Sequence, residues 1–249
     1  MSEPGLLTKQ AYQNNIDVIL VQPQQSLNIG SVARAMLNLG YENLVLVKPE
    51  NFDLQKASIT ARWATHILEK TVIKETLPEA LAHYTDVVGF GGRYDGTRFD
   101  NLSLLEWSQN NFIPESNHTA LVFGPEDRGL NTEEINHCHW LVRIPSTSEY
   151  PSYNLAQAVL IALYQITINK AENAITTQES REMPEWNDFY QLDRLLDKVL
   201  TNCGFYREGT PQPIPGVIQN LFHRMNPDKR EMGILLAMVN RIAKSLERK

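Results

Sequence analysis

Hydrophobic and polar positions fall into two kinds of block along the first two-thirds of the chain. Short β-branched runs at Ile16–Val21, Leu44–Val47, Asp86–Gly89, Ala120–Phe123 and Leu141–Ile144 read as strands buried on both faces of a parallel sheet. Between them the apolar positions recur at helical spacing. Ile29, Val32, Ala33, Met36 and Leu37 share a face, and Gly40 follows as a stop. Further helical patterns cover Pro78–Tyr84, Leu102–Gln109 and Thr132–His137. A longer one runs from Asn154 to Glu172, with Leu155, Ala158, Val159, Ala162, Leu163 and Ile166 on one face. Strands alternating with helices predict an α/β fold: a mainly parallel sheet with helices on both faces.

After Glu172 the alternation stops. Residues 173–186, with Thr176-Thr177-Gln178-Glu179-Ser180, read as a linker. Only helical periods follow: Leu192, Leu195, Leu196, Val199; then Val217, Ile218, Leu221, Phe222; then Ile234, Leu235, Met238, Val239, Ile242. The expected organisation is an α/β domain over 1–172 and a small all-helical extension over 187–249.

Composition narrows the class. Of 249 residues, 42% are hydrophobic and 21% charged, an ordinary globular balance. Apolar runs such as Gly233–Val239 are far shorter than the roughly 18 residues a membrane span needs. Met1–Gln10 shows no secretory pattern, and Cys138 and Cys203 make no disulfide framework. A cytoplasmic protein without membrane contact is expected. The net charge of −6 is unevenly spread. Residues 1–169 hold 11 basic and 18 acidic side chains, whereas the last 35 hold 7 and 3. A basic end on an acidic body can reach phosphates despite the overall sign.

In open α/β sheets, ligands sit beyond the C-terminal ends of the strands, so the loops there are the candidates for chemistry. After the first strand, Asn28 suits a helix N-cap. Gly30 and Ala33 would pack that helix on the sheet, leaving Arg34 beside the ligand edge. After the third strand, Gly89-Phe90-Gly91-Gly92-Arg93 lets backbone approach a ligand. It lacks the third glycine of a dinucleotide fingerprint, and no P-loop occurs. Gly124-Pro125-Glu126-Asp127-Arg128-Gly129-Leu130 follows the fourth strand. A hydroxyl-rich stretch, Pro145 to Asn154, follows the fifth. His137-Cys138-His139 has no distant second cluster, so a metal is not expected.

Asn28-Ile29-Gly30-Ser31-Val32-Ala33-Arg34, the Leu121–Leu130 segment, and Ile144-Pro145 with Ser152-Tyr153-Asn154-Leu155-Ala156 resemble, in order and spacing, the three motifs of the SPOUT superfamily of RNA 2′-O-ribose methyltransferases. Asn220–Arg224, with Glu231 and Ile234-Leu235, is similar to the helical extension of one branch. That branch comprises the tRNA (cytidine/uridine)-2′-O-methyltransferases acting at position 32 of the anticodon loop. The chain departs from it where Phe90-Gly91-Gly92-Arg93 replaces the usual Thr-Ser-Ala-Arg, and where Leu236-Ala237 stands for Arg-Gly.

The resemblance implies a C-terminal trefoil knot in the α/β domain, an S-adenosyl-L-methionine pocket built by it, no metal, and a homodimer whose two-fold interface completes each site. It assigns cofactor binding to Phe90, Gly91, Gly92, Gly124, Ile144, Pro151, Ser152, Tyr153 and Asn154. It assigns catalysis to Arg34, Asn28, Glu126, Ser152 and Asn154. A guanidinium is a poor base because its pKa exceeds about 12. Arg34 is therefore expected to grip an RNA phosphate and orient the 2′-hydroxyl, with the phosphate or water assisting proton removal. Glu126 would orient Arg34 or Asn28. The implied partner is tRNA. Ribosomal RNA is the near alternative, and a non-catalytic RNA-binding protein the distant one.

Overall fold

The computed structural model describes residues 11–91, 102–110, 118–147, 149, 152–173, 182–206, 213–225 and 227–247. In chain order the elements are β1 (Ile16–Val21), α1 (Ser26–Asn38), β2 (Asn43–Val47), α2 (Leu54–Ala61), α3 (Thr65–Glu69), β3 (Val72–Lys74), α4 (Leu77–Leu81), β4 (Asp86–Phe90), β5 (Leu102–Ser103), α5 (Leu104–Asn110), β6 (Thr119–Phe123), α6 (Thr132–Asn136), β7 (Trp140–Arg143), α7 (Leu155–Asn173), α8 (Trp186–Asn202), α9 (Pro213–Arg224) and α10 (Lys229–Leu246). The strands form one parallel sheet in the order β3-β2-β1-β6-β4-β7-β5.

Side chains alternate across this sheet and so build two cores. Val18, Leu20, Leu46, Val88, Leu121, Phe123 and Val142 face one layer, closed by α1, α2, α5 and α7. Ile19, Val21, Val47, Val87, Ala120, Val122 and Leu141 face the other, closed by α4 and α6. The five buried runs are strands as the sequence predicts, each within a residue of its expected ends. β3 and β5 are additions at the two sheet edges, and β5 takes the first two residues of the expected Leu102–Gln109 helix. Gly40 adopts φ 80° directly after α1, where a left-handed residue ends a helix readily.

Three details differ from expectation. Asn28 is not the N-cap: α1 begins at Ser26 behind Gln25, which makes no side-chain cap bond. Gly30 faces α2 rather than the sheet; a Cβ there would lie 1.9 Å from the Ala57 carbonyl oxygen. Gly89 lies inside β4, where a Cβ would meet Cys138 Sγ at 2.7 Å, so its smallness serves packing.

Beyond α7, Phe189, Leu192 and Leu196 of α8 pack with Met232 and Val239 of α10 in a third, smaller core. The helices are not merely tethered to the body. Trp186, the first residue of α8, is buried in the α4–α6 layer. Its indole donates to the His137 carbonyl at 2.8 Å, and its backbone N–H to the Tyr84 carbonyl. Lys229 at the start of α10 pairs with Glu182 at 2.6 Å. Among the described residues no helix is long and apolar enough to cross a membrane.

Candidate active site

The C-terminal ends of β1, β4, β6 and β7 converge on two adjoining cavities. One, of about 310 Å³, is lined by Phe90, Gly91, the 123–129 loop, Arg143, Ile144, Ser152, Tyr153, Leu155 and Ala158. Phe90 and Phe123, paired across β4 and β6, stack with centroids 4.5 Å apart and planes 5° apart, giving the cavity an aromatic floor. The other, of about 660 Å³, is mainly polar, lined by Gln25, Asn28, Glu126, Ser146, Thr147, Ser152, Tyr153, Asn154, Leu155 and Gln157. Glu126, Ser152, Tyr153 and Leu155 belong to both.

Glu126 joins the motifs. Its carboxylate accepts from the Gln24 and Gln25 N–H groups at 3.0 and 3.3 Å and from Asn28 Nδ2 at 2.8 Å. A carboxylate at a helix start takes up orphan donors and meets the positive end of the helix dipole. Asn28 Oδ1 in turn accepts from Asn154 Nδ2 at 3.2 Å, while Asn154 Oδ1 caps α7 by accepting from the Ala156 N–H at 3.0 Å. A Glu126–Asn28–Asn154 chain thus links the loop after β6, the start of α1 and the start of α7. Tyr153 is fixed by donating to the Pro145 carbonyl at 2.8 Å.

The β6 loop is held from behind. Arg128 makes a bidentate pair with Glu134 at 2.9 and 3.0 Å and donates to Gln22 Oε1 at 2.8 Å. The Glu134 hydrogen bonds raise the Arg128 guanidinium above its ordinary range. At Gly124 the loop folds back so closely that a Cβ would lie 2.2 Å from the Gly129 carbonyl carbon. Sequence reading placed Arg128 in the loop but gave it no partner. Glu134 is six residues away and could have been paired with it; Gln22 could not.

Of the expected site residues, Asn28, Glu126, Ser152 and Asn154 come together, and Phe90, Gly91, Gly124, Ile144, Ser152 and Tyr153 line the first cavity. Asn154 faces the polar cavity instead. Gly92 and Pro151 lie outside the described residues. Arg34 stands apart, exposed on α1 and lining neither cavity. Six residues past Asn28, it is about 9 Å further along the helix and a third of a turn round. Glu126 therefore orients Asn28 rather than Arg34. Among the described residues no group of three or more His, Cys, Asp or Glu side chains could hold a metal.

Parallel strands thus feed their loops to one edge of the sheet, where two asparagines and a glutamate meet. The chain belongs to the SpoU rRNA methylase family, whose pattern matches residues 15–164. It is 34% identical over 238 residues to the tRNA (cytidine/uridine-2′-O-)-methyltransferase TrmJ of Yersinia pestis (strain Pestoides F), spanning 93% of this chain and 92% of the relative. The crystal structure of TrmJ from Z. mobilis ZM4 matches with a TM-score of 0.74 at 25% identity, over 91% of this chain and 98% of that one. A structure described as giving insights into 2-OH methylation of C/U34 on tRNA matches with a TM-score of 0.51 at 27% identity, over 64% of this chain and 99% of that one.

Proposed function

We propose that this protein methylates a ribose 2′-hydroxyl of tRNA, at pyrimidine 32 of the anticodon loop, with S-adenosyl-L-methionine as methyl donor. The observation that carries the reading is the pair of cavities sharing Glu126: one aromatic-floored and loop-lined, one polar and open to a ribose. When bound, the donor supplies a methyl group on a sulfonium, which is already a good leaving group. The protein's work is then positioning. Phe90, Phe123 and Ile144 offer apolar walls to it, and the backbone at Gly91, Gly124 and Ser152–Asn154 offers polar groups. Gly92 and Pro151 are assigned to the same pocket by their motif positions. Asn28 and Asn154, braced by Glu126, face the acceptor ribose, and Ser152 sits between the cavities. Arg34 grips a phosphate and orients the 2′-hydroxyl, whose proton passes to phosphate or water as the methyl arrives. A 2′-hydroxyl acceptor restricts the substrate to RNA.

On this reading the stretch from β7 into α7 is the trefoil-knotted passage, residues 1–172 form the methyltransferase unit, and 187–249 supply RNA contacts through exposed Arg230, Arg241 and Lys244 on α10. The protein acts as a homodimer through the α7 face that exposes Leu160 and Tyr164, and this pairing brings Arg34 to a partner's cavities. Similarity to the TrmJ proteins runs through the C-terminal helices, whereas the C/U34 enzyme matches only 64% of the chain. That difference favours the branch whose helical extension Asn220–Arg224 resembles, and with it position 32 over position 34.

Two measurements test the proposal. Mapping ribose methylation in tRNA from a strain lacking the protein should show loss at position 32; loss at 34 alone, or only in ribosomal RNA, refutes the assignment. Arg34→Ala should lower methyl transfer about 10²–10³-fold, as for loss of a positioned charge at a reacting centre, with little change in cofactor affinity by calorimetry.

A further inference from the structure

Trp63 is the most exposed large apolar side chain described, at 91%. It sits in a one-turn 3-10 helix, Arg62–Ala64, between α2 and α3. Arg62 adopts φ 57°, ψ −116°, a conformation that glycine takes readily and a side-chain-bearing residue does not. Backbone strain thus accompanies a solvent-facing indole. Ile59, one turn back, is 64% exposed on the same segment.

The surroundings tell what this indole could meet. α1 and α2 pack closely around Gly30, and the Thr60 hydroxyl donates to the Leu27 carbonyl at 2.7 Å. Ser26 Oγ accepts from the Asp53 N–H at 3.0 Å, and Gly30 abuts Ala57. Arg34 lies one turn beyond Gly30 on α1, and α1 packs against the 3-10 turn that holds Arg62 and Trp63. Leu27, Gly30 and Arg34 share the α1 face turned to α2. Exposed Arg62 thus adjoins the exposed indole, and exposed Arg34 lies on the helix packed against the same turn, on a body whose first 169 residues are net acidic. An aromatic ring beside guanidinium groups fits an unpaired nucleotide: the base stacks on the ring and the phosphates meet the cations. α2 itself carries Lys56 and no acidic residue, so the surroundings of the ring are cationic.

We propose that Trp63 is a base-stacking platform for a loop nucleotide of the RNA, next to the nucleotide whose phosphate Arg34 holds. This deepens the functional reading and rests on it for the role of Arg34. Stacking is worth a loss of about 5–150-fold in affinity when the ring is removed. Filter binding of a tRNA transcript should show that loss for Trp63→Ala and near wild-type affinity for Trp63→Phe. Calorimetric affinity for S-adenosylmethionine and the sedimentation-derived mass should not move for either variant. Trp63→Ala binding tRNA as tightly as wild type overturns the proposal. So does a change in assembly state, which would make the face a contact between copies. Wild-type protein that binds tRNA with the Trp63 dependence yet methylates no RNA would refute the enzymatic reading while leaving the platform in place.

Discussion

At Glu126 one carboxylate serves the Gln24 and Gln25 amides and the Asn28 side chain together. Hydrogen bonds to a charged acceptor are worth about 1.5–3 kcal/mol each when broken. Glu126→Gln turns an acceptor face into one carrying donors, which oppose the donors already there. The expected result is at least a tenfold fall in methyl transfer, from a stability loss of about 1–3 kcal/mol and a misplaced Asn28. Single-turnover kinetics and urea unfolding would check both. A second residue effect concerns pH. Tyr84 donates to Asp17, and burial first, then the Asp17 charge, raise the phenol well above its ordinary value. Folded protein thus keeps a proton that the unfolded chain releases from about pH 10 upward, so this contribution to stability is present below pH 10 and lost above it. Tyr84→Phe should flatten the alkaline fall in unfolding free energy between pH 9.5 and 11, as read by urea titrations across that range. The Glu126 link shows what sequence withholds at this scale. Asn28 has the chemistry of an N-cap, but α1 starts two residues before it. Its side chain instead donates to a carboxylate 98 residues away, a distance no local pattern spans.

The elements legible from the sequence are those whose own residues decide them. The five core strands are β-branched runs buried on both faces, so their pattern is dictated by both cores. β3 escaped notice because Val72 and Ile73 lie at a sheet edge about half exposed, where little selects a pattern. α2 escaped because it buries only Ala57 and Ala61, residues too small to mark an apolar face. That smallness has its own consequence. α1 approaches α2 so closely at Gly30 that the Ala57 carbonyl and Thr60 hydroxyl fill the space of a Cβ. Gly30→Ala should force the helices apart at a cost of about 1–3 kcal/mol. Thermal unfolding followed by circular dichroism would show it. Restoring space with a second change at Thr60, such as Thr60→Ala, should recover only part, because the Ala57 carbonyl is backbone and cannot be trimmed.

For the whole molecule, the junction between body and C-terminal helices is more than a tether. Trp186 fills the layer beneath α4 and α6, and its two hydrogen bonds fix both Tyr84 and His137 carbonyls. Trp186→Ala should cost about 3–5 kcal/mol, as for other buried tryptophans. Hydrogen exchange should lose protection in α4 and α6 as well as in α8; loss confined to α8 would show that the two parts are independent. The same indole also sets an order of assembly. A nascent chain halted on the ribosome before residue 186 has emerged carries the full sheet but leaves an apolar slot open between two short helices, the kind of surface that holdase chaperones and quality-control proteases seize. Completion of the α/β body therefore waits on residues that lie beyond it in the chain.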